Sequence, residues 1–179
     1  MNYRNVTALI TGASGGLGEE FARQLATQGA NVVLVARSKD ALERLASELR
    51  QQAGVQVTVL PADLASSDSV TRLIAEVKNR GLAIGLLVNN AGLGIFEPFV
   101  DTSLATQLNQ VDVNVRAVVA LTHAFAPDVI ACRGGVINVA STALSNRSPG
   151  RPSMRRRRRL CCSSARLCRS SCRRPGHAY

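Results

Sequence analysis

Short apolar runs alternate with amphipathic helical stretches along roughly the first 140 residues, and this alternation restricts the fold more than any other feature. Residues 6–10, 31–36, 55–60, 85–89 and 135–140 read as strands, and 31–36 is a continuous run, NVVLVA. Between them, 19–28, 39–52 and 67–79 read as helices, and 104–131 holds one or two more. Phe21, Ala22, Leu25 and Ala26 fall on one face of the first helix, with Gly29 placed to cap it. Leu42, Leu45, Ala46 and Leu49 do the same on the second. Strands that are apolar throughout are buried on both faces, which calls for a parallel sheet covered by helices on each side. Right-handed crossovers then leave few arrangements, and a doubly wound α/β sheet is the expectation.

The loop after the first strand carries the first chemical signal. It reads Thr11-Gly12-Ala13-Ser14-Gly15-Gly16-Leu17-Gly18 and leads into a helix. Backbone N–H groups at a helix start, together with the helix dipole, favour an anion such as a pyrophosphate, and glycine lets the backbone come close to it. The spacing is that of Thr-Gly-x-x-x-Gly-x-Gly. Further stretches follow in order: Asp63-Leu64 after the third strand, Asn89-Asn90-Ala91-Gly92 ending the fourth, Asn114 within VDVNVRAVVAL, and Ser141 ending VINVAS. Taken alone, Asp63 also reads as a helix-capping acid, Asn114 as a core amide and Ser141 as a turn residue. The ordered set resembles the short-chain dehydrogenase/reductase family over roughly the first 143 residues.

That resemblance implies a Rossmann-like domain at 1–143 and a hydride transfer between NADP(H) or NAD(H) and a carbonyl or alcohol substrate. It implies cofactor contacts from Gly12, Ser14, Gly16, Leu17, Gly18, Asp63, Leu64, Asn90, Ala91 and Gly92. It also implies Ser141 as the group that orients the substrate oxygen, and Asn114 as support for a proton relay. Cofactor choice follows from charge. NAD readers of this fold usually end the second strand with an acid that binds the ribose 2′-OH. Here Ala36 stands at that place, followed by Arg37 and Lys39, which suits a 2′-phosphate and favours NADP over NAD. Arg37 is also what a solvated βα loop would carry.

Half of the family's catalytic set is absent. A tyrosine about a dozen residues past the serine should exchange the substrate proton, with a lysine four positions on to lower its pKa from near 10. The chain's tyrosines are Tyr3 and Tyr179 and its lysines Lys39 and Lys78, so no Tyr-x-x-x-Lys exists. In the neighbouring reading frame, however, the codon of Met154 preceded by T spells Tyr. Arg155 to Arg159 then permit Ala-Ala-Thr-Lys-Ala, and Leu160, Cys161 and Cys162 permit Phe-Val-Leu. A one-base slip near Ala143 would therefore explain the tail, although arginine and serine degeneracy makes the test permissive. The competing reading is a natural low-complexity tail. As the sequence is written, chemical rates should be negligible.

The tail differs in composition from the body. Of the chain's net charge of +10, none belongs to residues 1–147, whose twelve cationic side chains match the twelve acids. Residues 148–179 hold ten arginines and no acid, and four of the five cysteines (Cys161, Cys162, Cys168, Cys172). With few large apolar residues, 144–179 is expected to be disordered. Five successive arginines without interleaved aromatics suit only non-specific, salt-sensitive nucleic-acid binding. The cysteine spacing matches no familiar zinc motif, so no metal is expected. No apolar run reaches the length of a membrane span and no signal peptide is legible, so the expectations are no membrane and a cytoplasmic location. A fold ending at its fifth strand would leave an apolar edge and lose helices that resemble those the family oligomerises with, so a family-type oligomer is not expected. Two other classes stand beside the enzyme: a non-catalytic NADP-binding fragment and a basic-tailed nucleic-acid binder.

Overall fold

The structure, a computed structural model, describes residues 3–140. Within them lies one parallel five-stranded sheet, in the order β3-β2-β1-β4-β5. The strands are β1 (Thr7–Thr11), β2 (Asn31–Ala36), β3 (Val57–Pro61), β4 (Leu86–Asn89) and β5 (Gly135–Asn138). Thr7 pairs with Asn31 and Thr11 with Val35 across β1 and β2, while Ala8 pairs with Leu86 on the other side. The sequence therefore runs outward from β1 to β3, then crosses back to β4. The reversal falls between β1 and β4, where ligands enter sheets of this topology.

Helices α1 (Gly16–Thr27) and α2 (Lys39–Ala53) cover one face, and α3 (Ser67–Asn79) and α5 (Ala117–Ala131) the other. Successive side chains in a strand point to opposite faces, so each strand feeds both layers. Ala8, Ile10, Val32 and Leu34 pack with Ala22, Leu25, Leu42 and Leu45. Leu9, Val33, Val35 and Leu87 pack with Leu73, Val77, Leu121 and Phe125. This double burial is why the strands show no alternating pattern in the sequence. Serine hydroxyls start three of the helices: Ser38 accepts from Ala41 N, Ser66 from Ser69 N, and Ser103 from Thr106 N. Glu19 and then Glu48 bond the Arg23 guanidinium, joining α1 to α2 and holding the arginine pKa above its usual value.

Several boundaries differ from expectation. α1 starts at Gly16 instead of residue 19, because close packing of Gly18 on the loop overrides the low helix propensity of glycine. β3 and β4 begin slightly later than predicted, and β5 ends at Asn138. The region 104–131 is one continuous helix with a change of pitch: α4 (Leu104–Val111), five residues of π-helix (Asp112–Arg116), then α5. By length and composition this 28-residue stretch could cross a membrane, its most apolar 18-residue window having a mean hydropathy of 1.2. It also buries Ala117, Leu121, Phe125 and Val129 against the sheet, as a core helix does. β5 pairs with β4 alone among the described residues, and its Ile137 is exposed. The tail's arginines and cysteines, from residue 144 on, lie outside the described residues.

Candidate cofactor site

The loops that follow β1 to β4 converge on one cleft of about 740 Å³ at the carboxyl ends of the strands. Its walls are Gly12 and Ser14 after β1; Ala36, Arg37 and Ser38 at the end of β2; Ala62, Asp63, Leu64 and Ala65 after β3; and Ala91, Gly92 and Leu93 after β4. Asn109 and Val113 close it from α4 and the π turn. Of the residues singled out from the sequence, Gly12, Ser14, Arg37, Asp63, Leu64, Ala91 and Gly92 thus share one surface.

Two polar side chains tie the end of β1 to the end of β4. Thr11 Oγ1 donates to Val88 O at 3.3 Å and accepts from both Asn90 N and Ala91 N at 3.0 Å. The Asn90 amide donates to Thr11 O at 3.0 Å and Gly12 O at 3.3 Å. Asn90 therefore stands behind the cleft wall and holds its glycine loop. A methyl on Gly12 would lie 2.8 Å from Asn90 Nδ2 and 3.0 Å from Ala91 Cα, and Gly12 has φ +68°. No other residue fits there without strain.

Gly16, Leu17 and Gly18 do not line the cleft. Gly16 opens α1 with φ +58°, Leu17 is exposed, and Gly18 packs directly on the Gly12 carbonyl and the Asn90 amide. Gly18 lets the helix approach the loop, as a third glycine does in dinucleotide folds. Asn114 lies in the π-helix and is 4% exposed. Its Oδ1 accepts from Leu93 N at 2.9 Å and its Nδ2 donates to Leu93 O at 2.8 Å, so the amide clamps the segment leaving Gly92. Single π turns inside α-helices are frequent at functional sites. Asp63 accepts from Ala65 N through one carboxylate oxygen, while Ser66 is the cap of α3. It shapes the turn and lines the cleft at once. Ser141 lies outside the described residues. Sequence reasoning missed Ser38, Ala62, Ala65, Leu93, Asn109 and Val113; the last two stand one turn apart, but helical periodicity alone does not say which turn meets a cleft.

The residues present fit a dinucleotide. α1 is capped by Gly15 without any side-chain acceptor, so the first-turn N–H groups have no side-chain partner, unlike those of α2, α3 and α4. A methyl on Gly15 or Gly16 would meet nothing within 4 Å, so the space before that helix is open. The cleft volume is that of a cofactor site. Arg37 forms no ion pair among the described residues. Among those residues no group of three or more His, Cys, Asp or Glu is placed to hold a metal.

A family profile for short chain dehydrogenases matches residues 6–153. The chain is 33% identical over 142 residues to the very-long-chain 3-oxoacyl-CoA reductase of Anas platyrhynchos, covering 76% of this chain and 45% of that protein. It is 39% identical over 136 residues to the oxidoreductase UcpA of Salmonella typhimurium, covering 76% of this chain and 51% of that one. The chain thus spans about half the length of these curated relatives. Among solved structures, a short-chain dehydrogenase of Sphingobium yanoikuyae in complex with NADPH superposes with a TM-score of 0.86 at 29% identity, covering 93% of this chain and 65% of that one. The L-sorbose reductase of Gluconobacter frateurii, complexed with NADPH and L-sorbose, gives 0.85 at 30% identity over 93% and 64%.

Proposed function

This chain belongs to the short chain dehydrogenase family, and we propose that residues 1–143 form the NADP(H)-binding domain of an oxidoreductase acting on a carbonyl or alcohol carbon. The single observation that carries the reading is the convergence of four loops on one cleft, with the glycine loop that leads into the uncapped start of α1 in one wall and Arg37 with Ser38 in another. A bound nicotinamide would supply the hydride donor or acceptor. The protein's own part is to hold and orient. The open first turn of α1 takes the pyrophosphate, with Gly12 allowing close approach. Arg37 takes the 2′-phosphate through charge-assisted hydrogen bonds, and an acid that would bind a bare 2′-OH is missing. Asp63 and Leu64 receive the adenine, and Ala91 and Gly92 form the wall beside the ribose.

In the same reading Ser141 orients the substrate oxygen, and Asn114 supports a proton relay by holding the π turn against Leu93. What the 179 residues lack is a phenol beside an ammonium, since no Tyr-x-x-x-Lys occurs in them. The chain as written is therefore a cofactor binder with negligible turnover. The segment 144–179 is a separate, basic tail that arose from a slip of frame near Ala143. Calorimetric titration tests the binding: NADP⁺ should bind more tightly than NAD⁺, and an equal or reversed preference refutes the Arg37 assignment. NADPH oxidation with simple ketones and aldehydes should stay at background, and clear turnover refutes the inactive reading. Reading the bases of codons 143–160 tests the slip: codons that cannot spell Tyr and Lys in the neighbouring register refute it.

A further inference from the structure

One polar side chain in the cleft has no task in the reading above. Asn109 lies on α4, four residues before Val113, and both line the cleft with Asp63 and Leu64. Its neighbours Gln107 and Gln110 are buried, whereas Asn109 is exposed and its amide makes no hydrogen bond among the described residues. A short polar side chain on an exposed helix face usually only faces water. This one faces the same cavity as an aspartate with one carboxylate oxygen occupied by Ala65 N and the other open.

An adenine ring offers two polar edges. N1 and one N6 hydrogen form the first; N7 and the other N6 hydrogen form the second. A carboxylate can accept from N6 but has no donor for N7. A carboxamide matches the second edge at both points, its oxygen accepting from N6 and its nitrogen donating to N7. We propose that Asn109 is a specificity residue of the cofactor cleft that reads the N6/N7 edge of adenine from α4, while the Asp63 carboxylate accepts only from the other N6 hydrogen, from the β3 loop. The apolar Ala36, Ala62 and Leu64 then receive the ring itself. The inference rests on the NADP reading of the cleft and adds to it a selective contact with the base.

The test compares NADP⁺ with 7-deaza-NADP⁺, which replaces N7 by CH and leaves the other edge intact. Binding to the full-length chain and to its Asn109→Ala and Asn109→Asp variants is measured by isothermal titration calorimetry. Aspartate keeps an acceptor and loses the donor. The wild-type chain should bind the 7-deaza compound about 2- to 12-fold more weakly, the range of one hydrogen bond, and both variants should bind the two ligands alike. Equal binding of both ligands by the wild type overturns the proposal, and so does discrimination that survives in the variants. No binding of NADP⁺ by a folded wild-type chain overturns the cofactor reading itself, and the two failures are thereby distinguished. Asn109 is exposed, so melting curves of the variants should match the wild type.

Discussion

Gly18→Ala should cost far more stability than its position on a helix would suggest. In an exposed helix interior, alanine stabilises by about 1 kcal/mol relative to glycine. Here the added methyl would overlap the Gly12 carbonyl oxygen and stand 2.5 Å from Asn90 Nδ2 and 2.7 Å from Gly12 C. Two of these atoms are backbone, so the strain is relieved only if α1 moves away from the loop. α1 is anchored on the sheet by Ala22, Leu25 and Ala26, all buried, which opposes that movement. Overpacking of this kind costs about 1–3 kcal/mol. Displacing Asn90 also weakens its bonds to Thr11 O and Gly12 O, at about 0.5–1.5 kcal/mol each. Against the gain in propensity the net is about 1–5 kcal/mol, or a fall of about 3–20 °C in Tm for a domain of this size. Gly15→Ala is the control: its methyl meets nothing within 4 Å and its φ of 171° is ordinary extended backbone. It should stay within about 1 kcal/mol of the wild type. The assay is thermal unfolding of the full chain followed by circular dichroism at 222 nm. A Gly18→Ala melting curve within about 2 °C of the wild type, or equal losses in the two variants, refutes the packing role of Gly18.

Thr11→Val keeps the shape of the side chain but removes the shared acceptor of Asn90 N and Ala91 N; urea unfolding should show a loss of about 1–3 kcal/mol. Asn114→Leu leaves both polar groups of Leu93 without their partner and should cost a similar amount, with NADP⁺ affinity falling in parallel because Leu93 lines the cleft. Arg37→Ala should weaken NADP⁺ binding by at least about tenfold, the worth of one charge-assisted hydrogen bond, and leave NAD⁺ binding nearly unchanged in calorimetry. Fluorescence anisotropy with random-sequence duplex DNA should report binding through the arginine tail that is independent of sequence and weakens steeply between 50 and 200 mM salt.

The fold class was legible because fully apolar strands and amphipathic helices alternate, and each reports its environment locally. The strand NVVLVA is buried on both faces and reads so at once. Thr11-Gly12 and Asn89-Asn90-Ala91-Gly92 were legible as an ordered pair of motifs, although the bonds that join them span 77 to 80 positions. What the sequence withheld depends on contacts between distant segments. Gly18 looks like one more phosphate-loop glycine, and only its contact with Gly12 and Asn90 gives it a packing role. Asn114 looks like a catalytic amide, and its two bonds to Leu93 span 21 positions. The π turn at Asp112–Arg116 has no composition that distinguishes it from the α-helix on either side. Asn109 was invisible for the same reason, since a cleft is a property of several loops at once.

The polar stitches also bear on how binding and catalysis separate in this chain. Thr11, Asn90 and Asn114 each bond backbone within the described residues, and together they fix the segments after β1 and β4. None of these bonds calls on the tail. Among the described residues, the walls of the cleft likewise come from positions 12–113. In the proposed reading, the described residues alone preorganise the pyrophosphate and adenine ends of the site, while proton transfer would depend on groups after Ser141. A nucleotide that binds only the folded state stabilises it by mass action, by about 2.7 kcal/mol at a hundredfold excess over Kd. Saturating NADP⁺ should therefore raise the melting temperature of the chain even where no turnover can be measured.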